Sequence, residues 1–359
     1  MFHKARGPLA LALFAGVFVG VALGQPPGSQ DRVYYVPKKG AAVKYDDVEL
    51  KVDAGGAKLS SGGKQVALVS AADIVRTYPL DLKELPSDQA YEPVKHEVAR
   101  DWDKARGSYE ALREKYKTTA TPRLKQWLAF RVAVTTARAA DDTAVDNNWK
   151  EKAEAGLKLL TEYLADHPGG WEAWYATRTA ARLNHELGKS EGAAKLWAKQ
   201  AKAADITPDL KVEAAYQEAD ALMRAGLFTE AEARAAAATK DAAAGTPRER
   251  LKLIVLAAKA ATATDPAAGV PALEAEIGKT KDAAVRAAGQ AMVGELYLAG
   301  KKPRDAMWAI LAVEVVYNQD REEVAKAQAR LTDVYKQLGD EDRERNNHDR
   351  MRRNRAMLL

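Results

Sequence analysis

The sequence predicts a mostly α protein: an α-solenoid of helix-turn-helix repeats over residues 93–357, preceded by a small all-β, barrel-like domain over 31–78. Three observations predict it. From about Tyr91 onward Ala, Leu, Lys, Arg and Glu dominate, the strong helix formers. Glycines in a like context, Leu187-Gly188, Ala225-Gly226, Ala299-Gly300 and Leu338-Gly339, recur at nearly even intervals, and the one wide gap, from Gly226 to Gly300, spans two units. Before Tyr78, short alternating segments are separated by Gly-Gly turns. A helix pair cannot bury its apolar face alone, so a period in the high thirties implies stacked pairs, about six of them.

The first element is an export signal over residues 1–24. Lys4 and Arg6 precede the apolar run Pro8–Gly24, and Ala22-Leu23-Gly24 ends it in a small-x-small pattern, which predicts cleavage before Gln25. The run sits at the short limit of a membrane span, so an uncleaved anchor is the alternative. The mature protein is expected in the periplasm or outside the cell.

About five short strands are expected next. Val33-Tyr34-Tyr35-Val36, Val48-Glu49-Leu50-Lys51-Val52, Val66-Ala67-Leu68-Val69 and Ile74-Val75-Arg76-Thr77-Tyr78 carry the strand pattern, with turns at Asp53-Ala54-Gly55-Gly56 and Ser61-Gly62-Gly63. Short strands with tight turns suit a small barrel of the SH3/Sm-like kind. Pro79, Pro86 and Pro93 punctuate a linker over 79–92.

Helix starts are marked by Thr121-Pro122, Thr207-Pro208 and Thr246-Pro247, a capping hydroxyl before a proline. Thr246-Pro247-Arg248-Glu249 and Thr229-Glu230-Ala231-Glu232 also read as capping boxes. The wide glycine gap is expected to turn near Asp265-Pro266. Gly188-Lys189-Ser190 raises a nucleotide-binding alternative, but a phosphate loop needs a glycine where Leu183 stands, and a preceding strand. Gly188 reads instead as a left-handed helix end, with Ser190 as the next N-cap.

These units resemble tetratricopeptide repeats. Val293-Gly294-Glu295-Leu296-Tyr297 with Gly300 and Ala306 is similar to the family's small residue, tyrosine, inter-helix glycine and second-helix alanine. Leu331-Thr332-Asp333-Val334-Tyr335 with Leu338-Gly339-Asp340 matches in part, as do Ala181, Gly188, Ala193 and Trp197, and Ala219, Gly226 and Ala231. Asn184 and Leu222 stand where the family has tyrosine, and the period exceeds the family's usual one. The resemblance implies a right-handed solenoid whose first helices line a concave binding face.

Composition excludes several classes. The chain contains no cysteine, which excludes disulfides, thiolate metal sites and a lipoprotein anchor. Net charge is +5, too small to argue for specific nucleic-acid binding. The five histidines form no metal-binding spacing, and no cofactor motif appears. Ser61-Gly62-Gly63-Lys64 matches an acyl-enzyme string but falls in a hairpin turn rather than at a helix start. No catalytic residue is assigned.

Two candidate surfaces remain. Tyr175, Arg178, Arg182 and His185 share one face of a helix, and Tyr216, Asp220 and Arg224, with Glu213 and Met223, form the stripe expected beside it. Guanidinium grips carboxylate with two hydrogen bonds, so this face suits an extended acidic segment or a terminal carboxylate; ordinary ion pairs on a solvated face are the alternative. The second surface is the basic end, where Arg350, Arg352, Arg353 and Arg355 either cap the array or touch an anionic polymer or membrane surface. The seven tryptophans read as core, except Trp171 after Pro168-Gly169-Gly170, which is expected to be more exposed. The expected function is an exported, non-enzymatic scaffold binding a protein or peptide segment in its groove. An anionic-surface binder and a cell-envelope enzyme are the alternatives, and oligomeric state is left open.

Overall fold

The computed structural model describes residues 31–35, 43–53, 56–61, 64–70, 74–78, 85–141, 148–203 and 206–357. Residues 1–24, where an export signal is expected, lie outside the described residues.

Five antiparallel strands come first: β1 (Asp31–Tyr35), β2 (Val43–Asp53), β3 (Gly56–Ser61), β4 (Lys64–Ser70) and β5 (Ile74–Tyr78). Their order is β4-β3-β2-β1-β5. The long β2 pairs with β1 through Val43–Val48 and with β3 through Glu49–Asp53, so one strand serves two halves of the sheet. Ser61 pairs with Lys64 across a two-residue tip, so that Ser-x-x-Lys string is a hairpin end. Among the described pairings β4 and β5 are the two edges of the sheet. Leu59 and Val69 lie in one apolar core with Phe130, Trp171 and Tyr175, so the strands pack directly on the helices.

Fourteen α-helices follow among the described residues, in seven pairs: α1 (Ser87–Val98) and α2 (Trp102–Lys115), α3 (Pro122–Asp141) and α4 (Trp149–Asp166), α5 (Gly170–Glu186) and α6 (Ser190–Ala201), α7 (Pro208–Arg224) and α8 (Phe228–Asp241), α9 (Thr246–Ala261) and α10 (Val270–Ile277), α11 (Ala283–Ala299) and α12 (Pro303–Val315), and α13 (Arg321–Leu338) and α14 (Glu341–Met357). The extra pair beyond the expected six arises at the front. Helix α1 starts at Ser87, inside the stretch read as linker, and carries Pro93 within it. From α5 onward the first helices open at Gly170, Pro208, Thr246, Ala283 and Arg321, an almost perfectly even spacing. The short α10 follows a 3-10 turn, Pro266–Gly269, where Asp265 caps Ala267 at 3.2 Å.

One backbone motif ends five of the seven first helices. At Gly188, φ is +72°; its N–H donates to His185 O at 3.0 Å and Lys189 N–H to Asn184 O at 2.7 Å. This is the paired bonding of a left-handed C-cap. Gly226 and Gly339 repeat it, at φ +75° and +67°. The fourth glycine does not. Gly300 stays at φ −79°, and Lys301 takes the left-handed position at +58°. Arg100 does the same between α1 and α2, at +58°. A glycine search therefore misplaces one corner by a single position and misses another.

The N-caps divide similarly. Thr121 and Thr207 accept from Leu124 and Leu210 N–H at 3.2 and 3.4 Å, as expected. Thr246 sits inside α9 and donates to Asp282 at 2.6 Å, helping to hold the cap of α11. Phe228 opens α8 ahead of Thr229, and Lys189 precedes α6, so neither Thr229 nor Ser190 serves as an N-cap.

Small residues let the helices approach. A Cβ on Gly156 would lie 2.6 Å from the Ala137 Cα, and one on Gly294 2.5 Å from Ile310 Cγ1. Ala193, Ala231 and Ala306, at corresponding positions in α6, α8 and α12, are fully buried, as is Ala219 on α7. The chain folds as a helical-repeat solenoid.

Candidate functional site

The first helices of successive pairs touch one another, α3 with α5, α7 with α9, α9 with α11 and α11 with α13. Their shared side is the inner face, and it is lined with charge. Glu97 and Arg131 pair there in burial, with Tyr109 3.4 Å from Arg131 Nε.

On α5 the predicted stripe is present but already engaged. The buried Tyr175 hydroxyl is hydrogen-bonded by Arg138, and the Arg178 guanidinium lies 5.5 Å from its ring centre. Burial alone raises a phenol's pKa, but Arg138, Arg178 and Arg131 together hold Tyr175 below its ordinary value. Arg182 grips Asp141 with both ends of its fork, at 2.6 and 3.1 Å, and reaches Glu186 at 3.3 Å. His185 Nδ1 lies 3.0 Å from Ser190 Oγ. Burial, then the nearby Arg224, push its pKa well below the usual imidazole value.

The α7 stripe does not face an open groove at Tyr216 and Asp220. Both are buried against α13, from three repeat pairs further along. Tyr216 donates to Glu323 at 3.0 Å, Gln217 to Glu322 at 2.7 Å, and Arg224 to the Lys326 carbonyl at 3.1 Å. Lys326 Nζ stands 3.4 Å from Asp220 and 4.7 Å from the Tyr216 ring centre. Arg250 of α9 lies 4.0 Å from the same centre, pairs with Glu213 at 2.6 Å and faces Glu323 at 3.5 Å. Met223 is apolar core rather than lining. The pattern of α7 is helical as expected, but its face is occupied because the array curls back on itself.

The basic end is partly committed as well. Arg350 pairs with Glu314 at 2.7 Å and bonds Asn347, while His348 packs edge-on against Trp149 with ring centres 5.4 Å apart. This brings α14 against the start of α4. The side chains of Arg352, Arg353 and Arg355 lie outside the described ones.

Two tryptophans reverse the sequence expectation. Trp171 is 1% exposed, packed edge-on against Phe130 at 5.4 Å. The preceding Gly170, at φ +84°, turns the chain so that Trp171 points inward. Trp308 is 68% exposed on α12. With Val315 and Val316 exposed and Leu311 and Ala312 half-buried, it forms an apolar stripe along one side of that helix. The spacing 308, 311, 312, 315 is legible as a helix face, but α12 is apolar on both sides, so sequence could not tell which side packs.

Among the described residues no group of His, Asp and Glu could hold a metal ion, and no helix is long and apolar enough to cross a membrane. No family model matches the chain, and no curated protein matches it. Among solved structures, one similar chain is that in the crystal structure of Rap protein complexed with competence and sporulation factor. It is 14% identical, with 77% of each chain covered and a TM-score of 0.36. At that score neither fold nor function carries over.

Proposed function

We propose that this chain is an exported, non-enzymatic protein-interaction scaffold. The observation supporting it is the α12 stripe. Trp308 is 68% exposed, while Ala306, Ile310 and Val313 on the same helix are fully buried. A well-packed helix that presents a tryptophan and two valines to water offers the kind of anchor on which protein interfaces concentrate. The partner is a protein segment with apolar side chains to cover Trp308. The helical array holds this surface rigid, and the strand domain, a small SH3/Sm-like barrel in this reading, packs beside α5.

The inner face is the second reading, favoured by one observation. Arg182 remains about one-quarter exposed (24%) although it pairs with Asp141. Tyr175, Arg178, Arg182 and His185 would then receive a carboxylate-bearing segment, with Tyr216, Asp220 and Arg224 deeper in. A third role, contact of the Arg350–Arg355 end with an anionic surface, predicts steep salt dependence.

The test is affinity capture with the chain from Gln25 onward beside Trp308→Ala/Val315→Asp and Arg178→Gln variants, at low and moderate salt. A discrete partner lost only with the α12 variant is the expected result. Loss only with Arg178→Gln moves the site to the inner face. Broad binding removed by salt from all forms moves it to the basic end. Identical capture by all three at both salts overturns the α12 assignment.

A further inference from the structure

Solenoid repeats contact their neighbours, and nothing in that architecture requires units three apart to touch. Here α13 crosses to α7 and α9, and the crossing is made by polar groups. The buried apolar residues of α13, Ala327, Leu331, Val334 and Tyr335, belong to a core shared with α11 and α12. Tyr216 and Met223 belong to a separate core with α8, α9 and α11. What joins α13 to α7 and α9 is the set Gln217–Glu322, Tyr216–Glu323, Arg250–Glu323, Asp220–Lys326 and the bond from Arg224 to the Lys326 carbonyl.

We propose that the inner face of α7 and α9 is a helix-binding surface, specific for two adjacent carboxylates followed by a cation one turn on, with α13 as its displaceable resident. The complementarity is read from the resident. One carboxylate meets the Gln217 amide. The next meets the Tyr216 hydroxyl and the Arg250 guanidinium. The cation meets Asp220 and the Tyr216 ring. Desolvation largely offsets the attraction within buried ion pairs, so such a contact holds less firmly than an apolar core of like size. Leaving its charges bare is costly, so the surface exchanges occupants rather than standing empty. A partner helix with the same acid-acid-x-x-base face takes the place of α13 on α7 and α9; the core behind α7 stays closed, while the packing of α13 on α11 and α12 yields. The α12 stripe is not involved, so this surface stands or falls apart from that assignment.

The experiment uses the chain from Gln25 onward and a fluorescent synthetic peptide of residues 320–338. The resident is weakened by Glu323→Gln/Lys326→Gln; the receiving face is altered, in that background, by Tyr216→Phe/Asp220→Asn. Circular dichroism verifies the fold of each. The weakened form is expected to bind the peptide at least tenfold more tightly than wild type. Binding is expected to vanish with the altered face, and with a peptide in which Glu322, Glu323 and Lys326 are glutamine. Equal binding by wild type and the folded weakened form, or equal binding of the glutamine peptide, overturns the proposal. If the weakened form does not fold, amide exchange on wild type decides. Faster exchange in α13 at saturating peptide supports displacement, and unchanged exchange refutes it.

Discussion

Tyr216 and Glu323 are 107 positions apart in the chain, yet the tyrosine hydroxyl donates to the carboxylate at 3.0 Å. Glu323 is also 3.2 Å from Lys326 and 3.5 Å from Arg250. Burial pushes its pKa upward against the pull of those two cations. Removing the carboxylate leaves Lys326 with Asp220 and Arg250 with Glu213, each cation one acid partner short. Glu323→Ala is therefore expected to cost roughly 2–3 kcal/mol in a urea titration, and Tyr216→Phe, which deletes one hydrogen bond, about 1 kcal/mol. Similar small losses for both would mean that the crossing contributes little to stability.

His185 sets a pH dependence. Its folded pKa is depressed well below 6.5, by burial and by Arg224. The unfolded chain takes up a proton below about pH 6.5 that the folded chain does not, so this contribution is present above that pH and is lost as pH falls. The slope is about 1.4 kcal/mol per pH unit for one proton. Denaturation curves at pH 7.5 and 5.5 should show wild type losing more stability than His185→Gln, by about 1 kcal/mol. Parallel losses would contradict the buried neutral imidazole.

The two non-glycine corners offer the reverse effect. Lys301 and Arg100 hold the left-handed position, both at φ +58°. That conformation costs an L residue roughly 1 kcal/mol, so Lys301→Gly and Arg100→Gly are each expected to raise stability by up to about that amount. Gly188→Ala, at φ +72° with no atom near a new Cβ, should lower it by a similar amount. Thermal melts of the three variants check the sign in each case.

Trp171 and Trp308 separate burial from residue type. Trp171→Ala opens a cavity among Phe130 and its neighbours and should cost about 3–5 kcal/mol. Trp308→Ala removes a side chain that is 68% exposed, and should leave the melt within about 0.5 kcal/mol of wild type. Acrylamide quenching should fall on deleting Trp308 and not on deleting Trp171.

Many local features were legible in the sequence where a residue type has a local reason, with Gly300, Ser190, Thr229 and Thr246 as exceptions. The left-handed Gly188, Gly226 and Gly339, the caps at Thr121 and Thr207, and the even spacing of the corners follow from backbone geometry within a few positions. Lys301 and Arg100 escaped because the stacked repeats hold their corners in place, so the backbone shape persists where no glycine marks it. The stripes on α5 and α7 were correct as helix faces. What they face was illegible, because Glu323 and Lys326 lie far along the chain from Tyr216 and Asp220 and carry no local signal. Trp308 escaped for a similar reason: both sides of α12 are apolar, and only the packed structure shows which side is covered.

The return of α13 to α7 changes how this array comes apart. A linear stack of repeats frays from its ends, each unit leaving with its own interface. Here the last hairpin is tied back into the middle, to α7 by Tyr216 and Gln217 and to α4 through Trp149. While those contacts hold, the C-terminal end does not fray alone, and a seam inside the loop that they close competes as the place where melting begins. The shortest helix in that loop is α10, behind its 3-10 turn. Cutting the chain there should free both halves together rather than release one unit.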